Sequence, residues 1–299
     1  MKKSEGGGVR DFLQLMKPSL SIMVVFSSVI SYLLVPDVIY DWWRIVLLFA
    51  GGLLVTGSAN TINQVVERDT DAQMKRTAKR PIASGRLTPE QGWGFAIFSG
   101  AAGIFILGYF FNWTAGALAA FSLFLYAFVY TPLKKVNSVA VLVGAFPGAF
   151  PCLIGWVAGF VPGQQISWLG GIVLFGIQFL WQFPHFWAIA WVAHKDYSNV
   201  GFKLLPSDKG PTKFTALQTV VYSLLMLPIT IAPFFVGICD YGTVKGMIGG
   251  ALIIAANLFL IGRAVTLYNK MDVPSARKVM FGSYIHLPVV LLALLLAKA

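Results

Sequence analysis

Residues 42–85 read WWRIVLLFAGGLLVTGSANTINQVVERDTDAQMKRTAKRPIASG, and the change of character near position 60 decides the fold. The part up to residue 60 is an apolar run of the length that crosses a bilayer as a helix. Directly beyond it, Glu67, Asp69 and Asp71 and the bases Arg68, Lys75, Arg76, Lys79 and Arg80 crowd into fourteen positions of a chain that is only 12% charged. If the helix continues past residue 60, Asn63, Glu67 and Asp71 recur at i, i+4 and i+8, within about 80° of one another on the helical wheel. An amide and two carboxylates on one face suit a hard cation such as Mg²⁺, which keeps waters and is completed by substrate phosphates. The bases that follow would take the remaining phosphate charge, arginine by bidentate contacts. Taken alone, the stretch reads equally as a solvated loop whose mixed charges pair with one another.

Working outward, the 299 residues are 57% hydrophobic with a mean hydropathy of +0.73, too apolar for an ordinary soluble domain. The chain is read as an integral protein of the lipid bilayer. Its net charge of +11 needs no nucleic acid, because the bases fall in short connections between apolar runs. Cys152 and Cys239 form neither a disulfide framework nor a metal-ligand spacing and are read as packing residues. Residues 1–18 are basic but lack a small-residue cleavage site, so they are expected to be a short cytoplasmic tail before a true span.

Nine runs approach or exceed bilayer length: about 19–36, 42–60, 92–111, 113–130, 138–160, 168–192, 214–237, 244–262 and 279–297. They are continuous rather than alternating, which leaves helices as the spanning element. The expectation is an all-α, single-domain protein over 1–299, with nine transmembrane helices around a central cavity. With the N-terminus inside, 20 of the 23 Lys and Arg residues fall on the inner side, and only Arg44, Lys245 and Lys298 fall outside. That bias predicts a cytoplasmic N-terminus and an external C-terminus. Pro147, Pro151, Pro184, Pro228, Pro233 and Pro288 lie within spans and predict kinks that leave room for a cavity. Gly51, Gly52, Gly57, Ser58, Gly144 and Gly148 would allow close helix approach. The two largest inner loops follow the second and sixth spans, a weak sign of two four-helix halves plus one helix.

The sixth span ends in FLWQFPHFWAIAWVAHKDY, residues 179–197. Gln182 and His185 stand inside an apolar helix, where polar groups tend to face a cavity, and His194, Lys195, Asp196 and Tyr197 stand at its inner mouth. A packing role for His185, hydrogen-bonded to Gln182, is the competing reading. Tyr130 and Lys134 add a phenol and an ammonium one turn apart at the inner end of the fourth span. Carboxylates from two loops, surrounded by cations on one side of the membrane, resemble a receptacle for a Mg²⁺-diphosphate, above an aromatic bundle that would hold an apolar tail.

The pattern Asn63-x3-Glu67-x3-Asp71, followed by Met74, Arg76-Thr77 and Arg80-Pro81, resembles the first acidic motif of the UbiA superfamily of intramembrane prenyltransferases. YTPLKK at 130–135, GAFPGAFPCLIGW at 144–156, WQFPHFWAIA at 181–190, and KDY with GFKLLP within 195–206 are similar to the branch that farnesylates haem. The resemblance covers nearly the whole chain. It implies that Asn63, Glu67 and Asp71, with Asp196, hold a Mg²⁺-diphosphate, that Arg76, Arg80 and Lys134 bind its oxygens, and that Tyr130 sits near the allylic cation. It also implies a multi-pass protein of the inner (plasma) membrane with a cytoplasm-facing site. Its substrates would be farnesyl diphosphate and haem b, and haem O would pass to a haem A synthase or terminal oxidase. Two departures stand out: position 67 is Glu where the superfamily usually has Asp, and the second loop has only Asp196 where quinone-type members carry several aspartates. Gln182 and His185 replace acidic positions there, which favours the haem branch and assigns His185 to the haem, since imidazole is a good iron ligand and a poor Mg²⁺ ligand. The alternatives are prenyl transfer to a quinone precursor or chlorophyllide, and an ion-coupled transporter using Glu67, Asp71 and Asp196.

Overall fold

The computed structural model describes residues 7–207 and 209–299, so Lys2 and Lys3 of the charge count lie outside the described residues. The chain forms α1 (Val9–Met16), α2 (Pro18–Leu33), α3 (Trp42–Val66), α4 (Arg68–Gln73), α5 (Pro89–Phe110) and α6 (Trp113–Phe124). A π-helical turn, Leu125–Tyr130, carries α6 into α7 (Thr131–Leu133). Then come α8 (Ala140–Ala158), α9 (Trp168–Val192), α10 (His194–Asn199), α11 (Lys213–Phe235), α12 (Val244–Lys270) and α13 (Val273–Leu296). Among the described residues, eight helices are long and apolar enough to cross a bilayer, with α6 and α7 counted together. The total is nine if α1 and α2, which meet at 49°, form one crossing. The nine-run expectation therefore rests on that bent pair, because the 16 residues of α2 span only about 24 Å at 1.5 Å per residue.

Polar residues fix where the helices start. Asp41, Asn112, Thr212, Thr243 and Asp272 each accept a backbone N–H of the turn that follows, and Thr88 and Gln91 form a reciprocal capping box with Pro89 at the first helical position. The in-span prolines fall inside unbroken helices. The breaks come instead at Lys17, Glu67 and Ala193, where the apolar pattern gives way to charge.

The helices close into one ring. α2 packs on α3 and α8, α3 on α5, α5 on α6, and α6 on α8; α9 touches α8, α11 and α13, α11 packs on α12, and α12 on α13. α13 returns to α2, and Lys298 Nζ donates to the Leu33 and Val35 carbonyls, 2.8 Å each, at the end of α2. Lys17 sits at the other end of that helix, so Lys17 and Lys298 mark opposite ends of the bundle. Trp156, 2% exposed, closes the seam where α8 ends and α9 begins, with Gly170 and Gly171 giving it room and its indole N–H donating to Ser167 O at 2.7 Å.

Two expectations change here. Within the stretch expected as a short tail, residues 9–16 form a packed helix: Leu15 is fully buried, Gln64 donates to its carbonyl at 2.9 Å, and Asp11 accepts from Arg86 at 2.8 Å. α3 also stops at Val66 rather than running on to Asp71. The repeat, by contrast, has a local counterpart. α3 and α9 are both 25 residues long, and each ends at a single residue, Glu67 (φ −95°, ψ 12°) or Ala193 (φ −95°, ψ 13°), before a six-residue helix.

Candidate active site

The break at Glu67 still keeps the acidic face together, because Asp71 N–H donates to Glu67 O at 2.7 Å and so carries the turn across it. Asn63 Nδ2 donates to Glu67 Oε2 at 2.8 Å, and Lys134 Nζ reaches both Asn63 Oδ1 at 2.7 Å and Glu67 Oε1 at 2.8 Å. All three residues are buried. Asp71 is fully buried and accepts from Arg80 Nη1 on both oxygens, at 2.7 and 2.6 Å. Burial raises the Asp71 carboxyl above the ordinary carboxylate range, and the Arg80 charge opposes the rise. Two carboxylates and two cations, from residues 67–80 and from Lys134 at the end of α7, thus form a neutralised polar layer at one end of the bundle.

The two loops meet above this layer. Arg76 Nη2 donates to the Tyr197 hydroxyl at 3.3 Å, and Lys203 N–H donates to Lys134 O at 2.8 Å. Lys134 Nζ also lies 4.6 Å from the Tyr130 ring centre, a cation–π contact that aims the phenol at the same place. Tyr130 belongs to the π-helical turn, a geometry that recurs at functional sites because the extra residue rotates the following side chains.

Below the layer lies a cavity of about 640 Å³, within the range of small-molecule sites. Its wall is mostly apolar, and its polar lining includes Tyr126, Tyr130, Gln178, Gln182, His185 and Tyr284. Gly144 leaves space for the Tyr130 ring, and Gly148 lies against the Gln182 amide, which donates to Ala145 O at 2.9 Å. These two glycines do more than let helices approach: they seat the polar side chains that face the cavity.

The expected site residues divide accordingly. Asn63, Glu67, Asp71, Arg80, Tyr130 and Lys134 are gathered at the layer, and Gln182 and His185 line the cavity. His185 does not bond Gln182; its Nδ1 meets Ser283 Oγ at 2.8 Å. His194 bonds Ser198 in its own short helix, with Nδ1 3.2 Å from Oγ; Lys195 is exposed, and half-buried Asp196 has no side-chain partner among the described residues. Within the same residues, no three His, Cys, Asp or Glu side chains converge on a metal-sized point, so Asp196 is not drawn into a cage with Glu67 and Asp71.

Sequence reading missed Lys17, counted there only as an inner charge. It holds a left-handed backbone (φ 48°, ψ 65°), and it carries the one formal charge in the cavity lining among the described residues. Its place between an amphipathic turn and Pro18 was the available signal. Ser283, far along the chain on α13, carried none.

A family model, that of the UbiA prenyltransferase family, matches residues 24–285. The chain belongs to the UbiA prenyltransferase family. It is 42% identical to a protoheme IX farnesyltransferase of Cytophaga hutchinsonii over 291 residues, covering 96% of this chain and 97% of that one. A protoheme IX farnesyltransferase of Christiangramia forsetii is 38% identical, with 96% and 93% covered. Among solved structures, a digeranylgeranylglyceryl phosphate synthase has the same fold, with a TM-score of 0.77 at 19% identity, covering 97% of this chain and 98% of that one. A UbiA homologue from Archaeoglobus fulgidus bound to GPP and Mg²⁺ has a TM-score of 0.70 at 14% identity, covering 95% and 99%. With the family shown, the transporter reading falls away.

For this UbiA prenyltransferase the donor chemistry at the layer fits Mg²⁺ of one kind. Asn63, Glu67 and Asp71 supply only oxygen ligands, too few for a closed protein cage but suited to an ion that brings its own waters and phosphate oxygens.

Proposed function

We propose that the chain is a protohaem IX farnesyltransferase, making haem O from farnesyl diphosphate and haem b. The observation that carries this is the 42% identity, over 96% of the chain, to a protein of that name. The site supports it, since a buried acid–cation layer opens onto an apolar cavity lined by His185.

Asn63, Glu67 and Asp71 would hold the Mg²⁺ of the incoming diphosphate, and the metal supplies Lewis-acid stabilisation of the leaving group. Arg76, Arg80 and Lys134 stand around the same place and take the negative charge that grows as the farnesyl C1–O bond breaks and the diphosphate leaves with the electron pair. Lys134 and Arg80 are poised for that exchange, because diphosphate oxygens can replace the carboxylates they now hold. Tyr130 presents its ring at the edge of the cavity, where a π-face steadies the allylic cation. The vinyl carbon of the haem forms the new bond to farnesyl C1, and water adds to the resulting cation with loss of a proton, leaving a hydroxyl. The apolar wall keeps water from capturing the first cation early. His194, Lys195, Asp196 and Tyr197 would add substrate contacts from the second loop, which reaches the first through the Arg76–Tyr197 bond. The layer lies toward the Lys17 end of the bundle, and the basic connections on that side support a cytoplasm-facing site in a bacterial inner membrane.

The test is incubation of purified protein with haem b, farnesyl diphosphate and Mg²⁺, followed by mass analysis of the haem. A hydroxyethylfarnesyl haem formed only with all three present is the expected product. Unmodified haem, with transfer instead to a quinone precursor, would place the chain in another branch of the family.

A further inference from the structure

His185 is held on three sides. Its ring stacks on Trp181 at 4.5 Å between centres and 16° between planes, and Tyr284 meets it edge-on at 4.8 Å and 77°. Its Nδ1 lies 2.8 Å from Ser283 Oγ, and Trp181 Nε1 donates to Ser283 O at 3.0 Å, so the residue that stacks on the imidazole is pinned to the residue that bonds it. Ser283 is fully buried. These contacts leave the ring little freedom of rotation.

The bonding also fixes the proton. Ser283 Oγ donates its single hydrogen to Met280 O, 2.7 Å away, since a carbonyl only accepts. The same oxygen therefore meets His185 Nδ1 with a lone pair, and Nδ1 must carry the imidazole hydrogen. Nε2 is left with a bare lone pair and no protein partner among the described residues, on a side chain that lines the cavity. A neutral imidazole oriented by a hydrogen bond at its other nitrogen is the arrangement by which proteins present histidine to a metal.

Resting on the haem reading above, we infer that His185 Nε2 is an axial ligand of the substrate's iron, and that Ser283 and Trp181 are positioning residues that fix its tautomer and ring plane. The pair deepens the reading by explaining selection of the acceptor. An iron porphyrin gains a coordinate bond in this cavity, and a metal-free aromatic acceptor does not. The ligand bond also sets the macrocycle's height relative to the layer where the farnesyl cation forms, so it acts on orientation as well as affinity.

The experiment uses the full-length protein in detergent with haem b. Haem affinity, the optical spectrum and the ferrous iron–histidine stretching band are measured for the wild type and for His185→Ala, Ser283→Ala and Ser283→Thr. Farnesyl diphosphate binding serves as the check on folding. The wild type is expected to show a histidine-ligated spectrum that His185→Ala loses and added imidazole restores. Ser283→Ala should keep the band at lower frequency, with haem bound about 10-fold more weakly, the usual cost of losing a residue that orients a metal's histidine. Ser283→Thr, which keeps the hydroxyl, should recover both. A wild-type spectrum in His185→Ala overturns the ligand assignment, and an unshifted band in a Ser283→Ala protein that binds farnesyl diphosphate overturns the positioning role. Failure of the haem reading itself looks different: the wild type would bind no haem and prenylate another acceptor.

Discussion

Arg80 holds both oxygens of Asp71 through one nitrogen, at 2.7 and 2.6 Å, with the carboxylate only 1% exposed and the guanidinium 19% exposed. An acid just past the end of a span could stand open to water. It is instead sealed against the arginine that follows it in the same loop.

Asp71→Asn should therefore do two things. Turnover should fall to background, because the oxygen donor for Mg²⁺-diphosphate loses its charge. The variant should also melt earlier than wild type, since Arg80 is left half-buried without its partner. Arg80→Met strands the more deeply buried member and should cost about 3 kcal/mol, the usual scale for breaking a buried pair. Activity of Asp71→Asn within twofold of wild type at saturating Mg²⁺ would remove Asp71 from the proposed ligands.

Gly148 has the Gln182 amide where a side chain would go, while nothing lies within 4 Å of the corresponding position at Gly262. Gly148→Ala is expected to displace Gln182, costing about 1–3 kcal/mol and narrowing the cavity. Gly262→Ala, in the interior of α12, should be neutral or slightly stabilising. Thermal unfolding of the two variants side by side checks the contrast.

Asp272 caps α13, accepting from Ser275 N–H at 2.8 Å, and its bonds to Ser275, together with the charges of Lys270 and Lys278, hold its pKa below the ordinary 3.8. A carboxyl depressed on folding contributes stability that is fully present above its unfolded value and fades as pH falls through its folded one. The wild type should lose a small increment of thermal stability on acidification below about pH 4. Asp272→Asn, which keeps a capping oxygen without the charge, should lack that increment. Identical acid profiles for the two proteins would refute the assignment.

Lys17 and Lys298 lie at opposite ends of α2, and the charge count predicts that the Lys17 end faces inward. A cysteine at Asn199, exposed at the end of α10, should be shielded from an impermeant thiol reagent in intact cells. One at exposed Gly242, between α11 and α12, should react. The native Cys152 and Cys239 are buried and give a low background. The reverse labelling would invert the orientation.

The sequence by itself determined the all-helical membrane fold and eight of the runs long enough to span, and it pointed to the end of the bundle where the polar residues gather. Those follow from hydropathy and charge, which act residue by residue against lipid and water and are written in local order. It also marked Asn63, Glu67, Asp71 and Lys134, because a helical repeat and a polar cluster are local signals. Only the tertiary structure decided which charges pair and which cavity wall each polar group joins. Lys134 reaches Glu67 from a helix that nothing local connects to it, while Asp196, alike in sequence, has no side-chain partner among the described residues. The tautomer of His185 is set by Ser283 on the last helix, through a hydrogen bond that exists only because α13 packs on α9. A buried polar group must find its partner wherever the fold supplies one, and no spacing along the chain records that choice.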